Sequence, residues 1–149
     1  MRIAVFPGPF DPLTKGHEEI IRKAIPLFDK IYVAIGENAN KKSCFPLEQR
    51  LLWIRQAFKD ESCVEAAVYE GLTINFCRKV NARFILRGLR NAQDLQYEKD
   101  IAEANRHLAP EVETVFLLST PQMAHVSSSL VRELYYHHAD FSEYASFKL

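Results

Sequence analysis

Apolar residues recur along the chain in two alternating kinds of segment. Short, near-continuous apolar runs stand at Arg2–Phe6, Lys30–Gly36, Val64–Tyr69, Arg83–Leu86 and Thr114–Leu118. Runs of this length, rich in Val, Ile and Phe, read as buried strands. Between them the apolar positions fall three and four residues apart, the spacing of one helix face. Glu18–Phe28 carries Ile20, Ile21, Ala24, Ile25 and Phe28 in this way, and Glu48–Phe58 carries Leu51, Leu52, Ile54 and Phe58. Leu72–Val80 has Leu72, Phe76 and Val80 in phase, and Gln93–Leu108 places Leu95, Ile101, Ala102 and Leu108 among many charges. Ser127–Ser129 offers N-caps for a last helix running to about His138. Pro46 suits a helix start, whereas Pro26 limits how regularly its helix can end.

Five strands alternating with five helices predict an α/β fold, with a parallel sheet covered on both faces. No internal repeat, low-complexity segment or linker interrupts the 149 residues, so one domain is expected. In such sheets ligands sit beyond the carboxyl ends of the strands, near the point where strand order reverses. The segments after the five strands are Pro7–Gly16, Glu37–Phe45, Glu70–Gly71, Arg87–Asn91 and Ser119–Val126. All should face one side.

Composition narrows the partners. Nineteen basic residues balance nineteen acidic ones, which argues against a broad nucleic-acid or anionic-membrane surface but leaves room for a local basic pocket. No apolar run approaches the roughly 20 residues of a membrane span. The first strand begins almost at the first residue, so no signal peptide is expected. Cys44, Cys63 and Cys77 have no metal-ligand spacing and read as reduced thiols of a cytoplasmic protein.

The chemistry concentrates in the post-strand segments. Phe6–His17, FPGPFDPLTKGH, is a strand end, a stiff Gly/Pro loop and a helix start. Gly8 and Gly16 let a phosphate approach the backbone, and His17 stands where the helix dipole favours anions. Neither a G-x-G-x-x-G fingerprint nor a P-loop G-K-(S/T) is present. Lys41 and Lys42 follow the second strand, and Arg87 and Arg90 follow the fourth. Three basic sites suggest more than one phosphate. Ser127–Ser128–Ser129 supplies hydroxyls and amides at a second helix start, one serine being expected as the cap. Asp11, a lone loop carboxylate, could anchor its turn or help hold a metal, and anchoring is the expected role. Without a Ser-His-Asp set or a Cys with a His partner, the pattern favours direct phosphoryl or nucleotidyl transfer, driven by positioning and charge neutralisation.

GPFDPLTKGH, NANKK, RGLR, the pair Tyr97–Glu98, NRHL at Asn105–Leu108 and VSSS, in this order, resemble the nucleotidyltransferases of the (H/T)-x-G-H superfamily. Within it, the chain is most similar to the bacterial phosphopantetheine adenylyltransferase family, from Arg2 to about His138. That resemblance implies a Rossmann-like, doubly wound five-stranded sheet, and transfer of AMP from ATP to 4'-phosphopantetheine with Mg²⁺ present. It also implies a homohexamer without nucleic-acid or membrane partners. His17, Lys41 and Arg90 are then the catalytic candidates, with His17 on the ATP phosphates. Phe10 (mainly through its backbone), Gly88, Leu89, Arg90, Glu98 and the stretch Met123, Ala124, His125, Val126, Ser127, Ser128 and Ser129 would line or close the nucleotide site. Lys41, Arg87, Thr73 and Asn105 would bind the pantetheine substrate, and no residue is assigned to a metal. Superfamily members acting on nicotinate or cytidylyl substrates commonly have His where Thr14 stands, which favours the pantetheine enzymes. The family's Thr or Ser is replaced by Pro9, so that hydroxyl's role is not carried over; an ATP-binding module impaired by Pro9 is the alternative. The family's last segment looks shortened after Phe141.

Overall fold

The computed structural model describes residues 1–38 and 40–149; Ala39, inside NANKK, lies outside the described residues. The strands are β1 (Ile3–Gly8), β2 (Lys30–Glu37), β3 (Val64–Glu70), β4 (Phe84–Leu89) and β5 (Glu113–Leu118). The helices are α1 (Lys15–Ala24), α2 (Leu47–Ala57), α3 (Thr73–Lys79), α4 (Ala92–Leu108) and α5 (Ser128–Tyr136), with single 3₁₀ turns at Ile25–Leu27 and Pro121–Met123. The strands pair in the order β3-β2-β1-β4-β5, every pair parallel. This is the doubly wound, Rossmann-like arrangement, and its order reverses between β1 and β4.

Strand alternation sorts the core into two layers. Ala4, Phe6, Ile31, Val33, Ile35 and Leu86 face one side, where Ile20, Ile21 and Ala24 of α1 and Ile54 of α2 cover them. Val5, Ala34 and Ile85 face the other, against Ile74, Phe76 and Cys77 of α3. Burial on both faces explains why these strands read as apolar runs rather than alternating ones.

Two boundaries differ from the expected ones for physical reasons. α1 starts at Lys15 because Thr14 caps it, and its end tightens into a 3₁₀ turn at Pro26, which lacks an amide hydrogen. β4 continues through Arg87, Gly88 and Leu89, because pairing with Phe116, Leu117 and Leu118 of β5 persists beyond the apolar run. Arg87 and Gly88 therefore lie on a strand, not in the loop after it. At Gly88 an added Cβ would lie 2.8 Å from Ile20 Cγ1, so this glycine also lets α1 settle against β4.

Candidate active site

The turn after β1 is held from within. Thr14 is the N-cap of α1, and its Oγ1 accepts from the His17 amide at 3.3 Å. His17 returns the bond: the Thr14 amide donates to Nδ1 at 3.0 Å. This is a capping box with imidazole in place of the usual Glu or Gln. An amide can only donate, so Nδ1 is the acceptor and the neutral ring carries its proton on Nε2. Burial first, then the charges of Arg87 and Arg90, push the His17 pKa down to about 4. His17 therefore presents a neutral N–H donor at neutral pH. Its ring is wedged edge-on against Phe10 and Phe6, at centroid distances of 5.1 and 6.1 Å. Phe10 reaches this place with a left-handed backbone (φ 43°) and a fully buried side chain.

His17 lines a cavity of about 380 Å³ at the switch point, together with Gly16, Arg87, Gly88, Arg90, Glu98 and Val126–Ser129. Two helix N-termini, those of α1 and α5, open into it. Lys15's amide is taken by the Tyr144 carbonyl, Glu18's by the Thr14 carbonyl and Leu130's by Ser127 Oγ, the N-cap. Among the described residues, the amides of Gly16, Ser128 and Ser129 have no partner within the protein. Converging free amides at helix starts form an anion site. The serine hydroxyls have other tasks: Ser128 donates to the Pro12 carbonyl at 2.8 Å, and Ser129 accepts from Arg132 at 3.0 Å. The tripeptide thus offers a phosphate mainly its backbone.

Arg87 and Glu98 form the wall between this cavity and a second one of about 200 Å³. Arg87 Nε lies 3.0 and 3.1 Å from the two Glu98 oxygens, and Nη1 donates to the Pro7 carbonyl at 2.6 Å. Glu98 is buried, so the pair is held in a low-dielectric place. Thr73 and Asn105 line the second cavity with Tyr69, whose hydroxyl lies 2.8 Å from Thr73 Oγ1. A third cavity, about 230 Å³, carries Lys41 and Lys42. Pro9 and Arg132 border both the first and the third.

The crevice thus gathers His17, Arg87, Gly88, Arg90, Glu98 and Val126–Ser129 around one space, puts Thr73 and Asn105 beside it through the Arg87–Glu98 pair, and puts Lys41 beside it past Pro9. Phe10, Leu89, Met123, Ala124 and His125 lie outside the cavity walls; Leu89 is buried in the sheet, and Met123 ends the 3₁₀ turn. Arg132 went unrecognised in the sequence. Its signal was a cation one helical turn after the serine helix start, and it donates to the Asp11 carbonyl at 2.8 Å. Arg50, buried on α2, had no local signal. Asp94 and Glu98, the carboxylates of the main cavity, are both engaged with arginines. No group of three His, Cys, Asp or Glu able to hold a metal ion occurs among the described residues.

Cationic side chains and helix N-termini at the switch point of a parallel sheet define a phosphate-handling α/β protein. Comparison with known proteins agrees. Residues 5–134 match the model of the cytidylyltransferase-like family. The chain is 53% identical over 142 residues to the phosphopantetheine adenylyltransferase of Flavobacterium psychrophilum, covering 95% of this chain and 93% of that protein. It is 43% identical to the phosphopantetheine adenylyltransferase of Cytophaga hutchinsonii over 99% of both. A bifunctional NMN adenylyltransferase/ADP ribose pyrophosphatase from Francisella tularensis shares the fold, with a TM-score of 0.74 and 19% identity over 97% of this chain and 44% of that one. The chain belongs to the cytidylyltransferase-like family and, within it, to the phosphopantetheine adenylyltransferases.

Proposed function

We propose that this protein transfers AMP from ATP to 4'-phosphopantetheine, giving dephospho-coenzyme A and pyrophosphate, as one catalytic domain in coenzyme A biosynthesis. The observation that carries this reading is the meeting of two cationic cavities across Pro9 and Arg132. ATP takes the larger, its phosphates on the free amides of Gly16, Ser128 and Ser129, on His17 and on Arg90. The acceptor's phosphate takes the Lys41 side, and its pantetheine arm runs toward Thr73 and Asn105. A phosphate oxygen of the acceptor attacks the α-phosphorus of ATP, the bond to the bridging oxygen breaks, and pyrophosphate leaves. The nucleophile is already anionic, so no general base is needed. The barrier lies in bringing two anions together, and the cations, amides and His17 Nε2–H lower it.

The described residues offer Mg²⁺ no cage of their own. The ion would be held by the ATP phosphates, where it supplies further charge neutralisation. Exposed apolar residues on α4 away from the cavities, Leu95 and Leu108, support self-association, and the homohexamer is proposed on the family resemblance. No described helix is long and apolar enough to cross a membrane. Three free cysteines support a cytoplasmic location. The test is pyrophosphate release from ATP with 4'-phosphopantetheine beside nicotinate mononucleotide. Release with the first alone supports the reading, and release with the second overturns it.

A further inference from the structure

We propose that Asp11 and Arg50 are positioning residues that hold the Lys41 segment against the reacting turn, and so set the affinity for the acceptor's phosphate. This rests on the adenylyltransferase reading above. Neither residue is needed there to touch a substrate, and both are ionisable groups more than nine-tenths buried, at 7% and 5% exposure.

The two form a reciprocal brace. Asp11, in the turn after β1, reaches across to the segment after β2: its carboxylate oxygens accept from the Cys44 amide at 2.7 Å and the Phe45 amide at 2.9 Å. Arg50, on the helix after that segment, reaches back. Its Nε donates to the Phe45 carbonyl and its Nη1 to the Pro9 carbonyl, both at 2.9 Å, while Nη2 stands 3.6 Å from Glu37 Oε1. Phe45 is thus gripped at its N–H by one loop and at its C=O by the helix that also grips Pro9. Between the brace and β2, Asn38 accepts from the Asn40 amide on Oδ1 and from the Lys41 amide on its carbonyl, each at 3.0 Å. Lys41 is exposed, and among the described residues its side chain makes no hydrogen bond or ion pair. Where its ammonium can reach is therefore set by the Asn38 bonds on one side and the Asp11–Arg50 brace on the other. Pro9, Asp11, Lys41 and Arg50 all border the same cavity. The brace therefore fixes how far the acceptor's cation stands from the reacting turn, and so how closely it meets the acceptor's phosphate.

The segment has a separate apolar anchor. The Phe45 ring packs on Trp53 and Tyr135 at centroid distances of 5.0 and 4.9 Å. Loosening the brace should therefore shift the segment rather than unfold it.

The experiment compares the full-length protein with Asp11→Asn and Arg50→Lys. Asn offers one acceptor oxygen to two amides, and Lys puts all its donors on one nitrogen, without the planar fork that lets Arg50 reach both carbonyls. Calorimetry gives Kd for 4'-phosphopantetheine and for ATP separately, and steady-state kinetics give both KM values and kcat. The inference expects Kd and KM for 4'-phosphopantetheine to rise roughly tenfold while those for ATP stay within about twofold. Equal weakening of both substrates, or a lower kcat with both KM values unchanged, marks a merely structural role and overturns it. If Asp11→Asn does not fold, Arg50→Lys, which keeps the charge, decides by the same criteria. A wild type that binds no 4'-phosphopantetheine overturns the proposed function and this inference together. A wild type that binds it, with variants that bind equally well, overturns this inference alone.

Discussion

Thr14 and His17 hold each other across one helical turn, each backbone amide donating to the other's side chain. The consequence is chemical as well as structural, because the bond into Nδ1 leaves Nε2 as the protonated nitrogen of the ring. His17→Ala should leave the fold intact and lower kcat by about 10²–10³, the cost of one preorganised donor to developing charge. Thr14→Ala should cost about 1 kcal/mol of stability as a lost cap, with a smaller fall in kcat that Thr14→Ser restores. Steady-state kinetics and urea denaturation check both, and unchanged turnover in His17→Ala removes the histidine from the mechanism.

The same residue makes stability depend on pH in a defined window. Its folded pKa of about 4 lies below the ordinary 6.5, so between these values the unfolded chain binds more protons. Stability from this source is complete above pH 6.5, declines as pH falls toward 4, and is constant below. Wild type should therefore lose stability relative to His17→Ala between pH 7 and 4.5. An NMR titration of the His17 ring in the free protein should show its midpoint well below 6.5, and a midpoint at 6.5 contradicts the neutral-donor assignment.

Gly88→Ala tests the packing of α1 on β4. The new Cβ meets Ile20 Cγ1 at 2.8 Å and Cδ1 at 3.3 Å, and overpacking of this kind costs about 1–3 kcal/mol. In an Ile20→Ala background the same change should cost much less. Urea midpoints for the four proteins of the cycle measure the coupling.

Pro9→Thr restores a hydroxyl and an amide hydrogen where the two cationic cavities meet. The Pro9 carbonyl stays on Arg50, so the turn keeps its course. Turnover should rise, with a loss of up to about 1 kcal/mol in stability from the freer unfolded chain. Unchanged kcat means that neighbouring donors already fill the role.

The layout of this fold was legible because its strands are buried on both faces and its helices are amphipathic. Once every strand is parallel, all post-strand segments must gather at one end, which brings His17 and Lys41 together with the Arg87 strand end. Long-range partners could not be read this way. Arg87 reads as a free phosphate ligand, yet in the fold it spans Glu98 and the Pro7 carbonyl, 80 residues away. One of the three serines is the expected α5 cap, and the other two read as surplus hydroxyls until the Pro12 carbonyl and Arg132 claim them. Neither Arg50 nor Arg132 is singled out in the sequence, because nothing in a helix's own spacing says that a distant carbonyl awaits its guanidinium.

In the proposed reaction the crevice is divided between two anions, with His17 and the helix amides on the nucleotide side and Lys41 on the acceptor side. Lys41→Ala kinetics with ATP and 4'-phosphopantetheine varied in turn test that division most directly. The predicted result is a rise of about ten- to a hundredfold in KM for 4'-phosphopantetheine, the value of one charge-assisted hydrogen bond, with KM for ATP within about twofold of wild type. An equal rise for both substrates contradicts it.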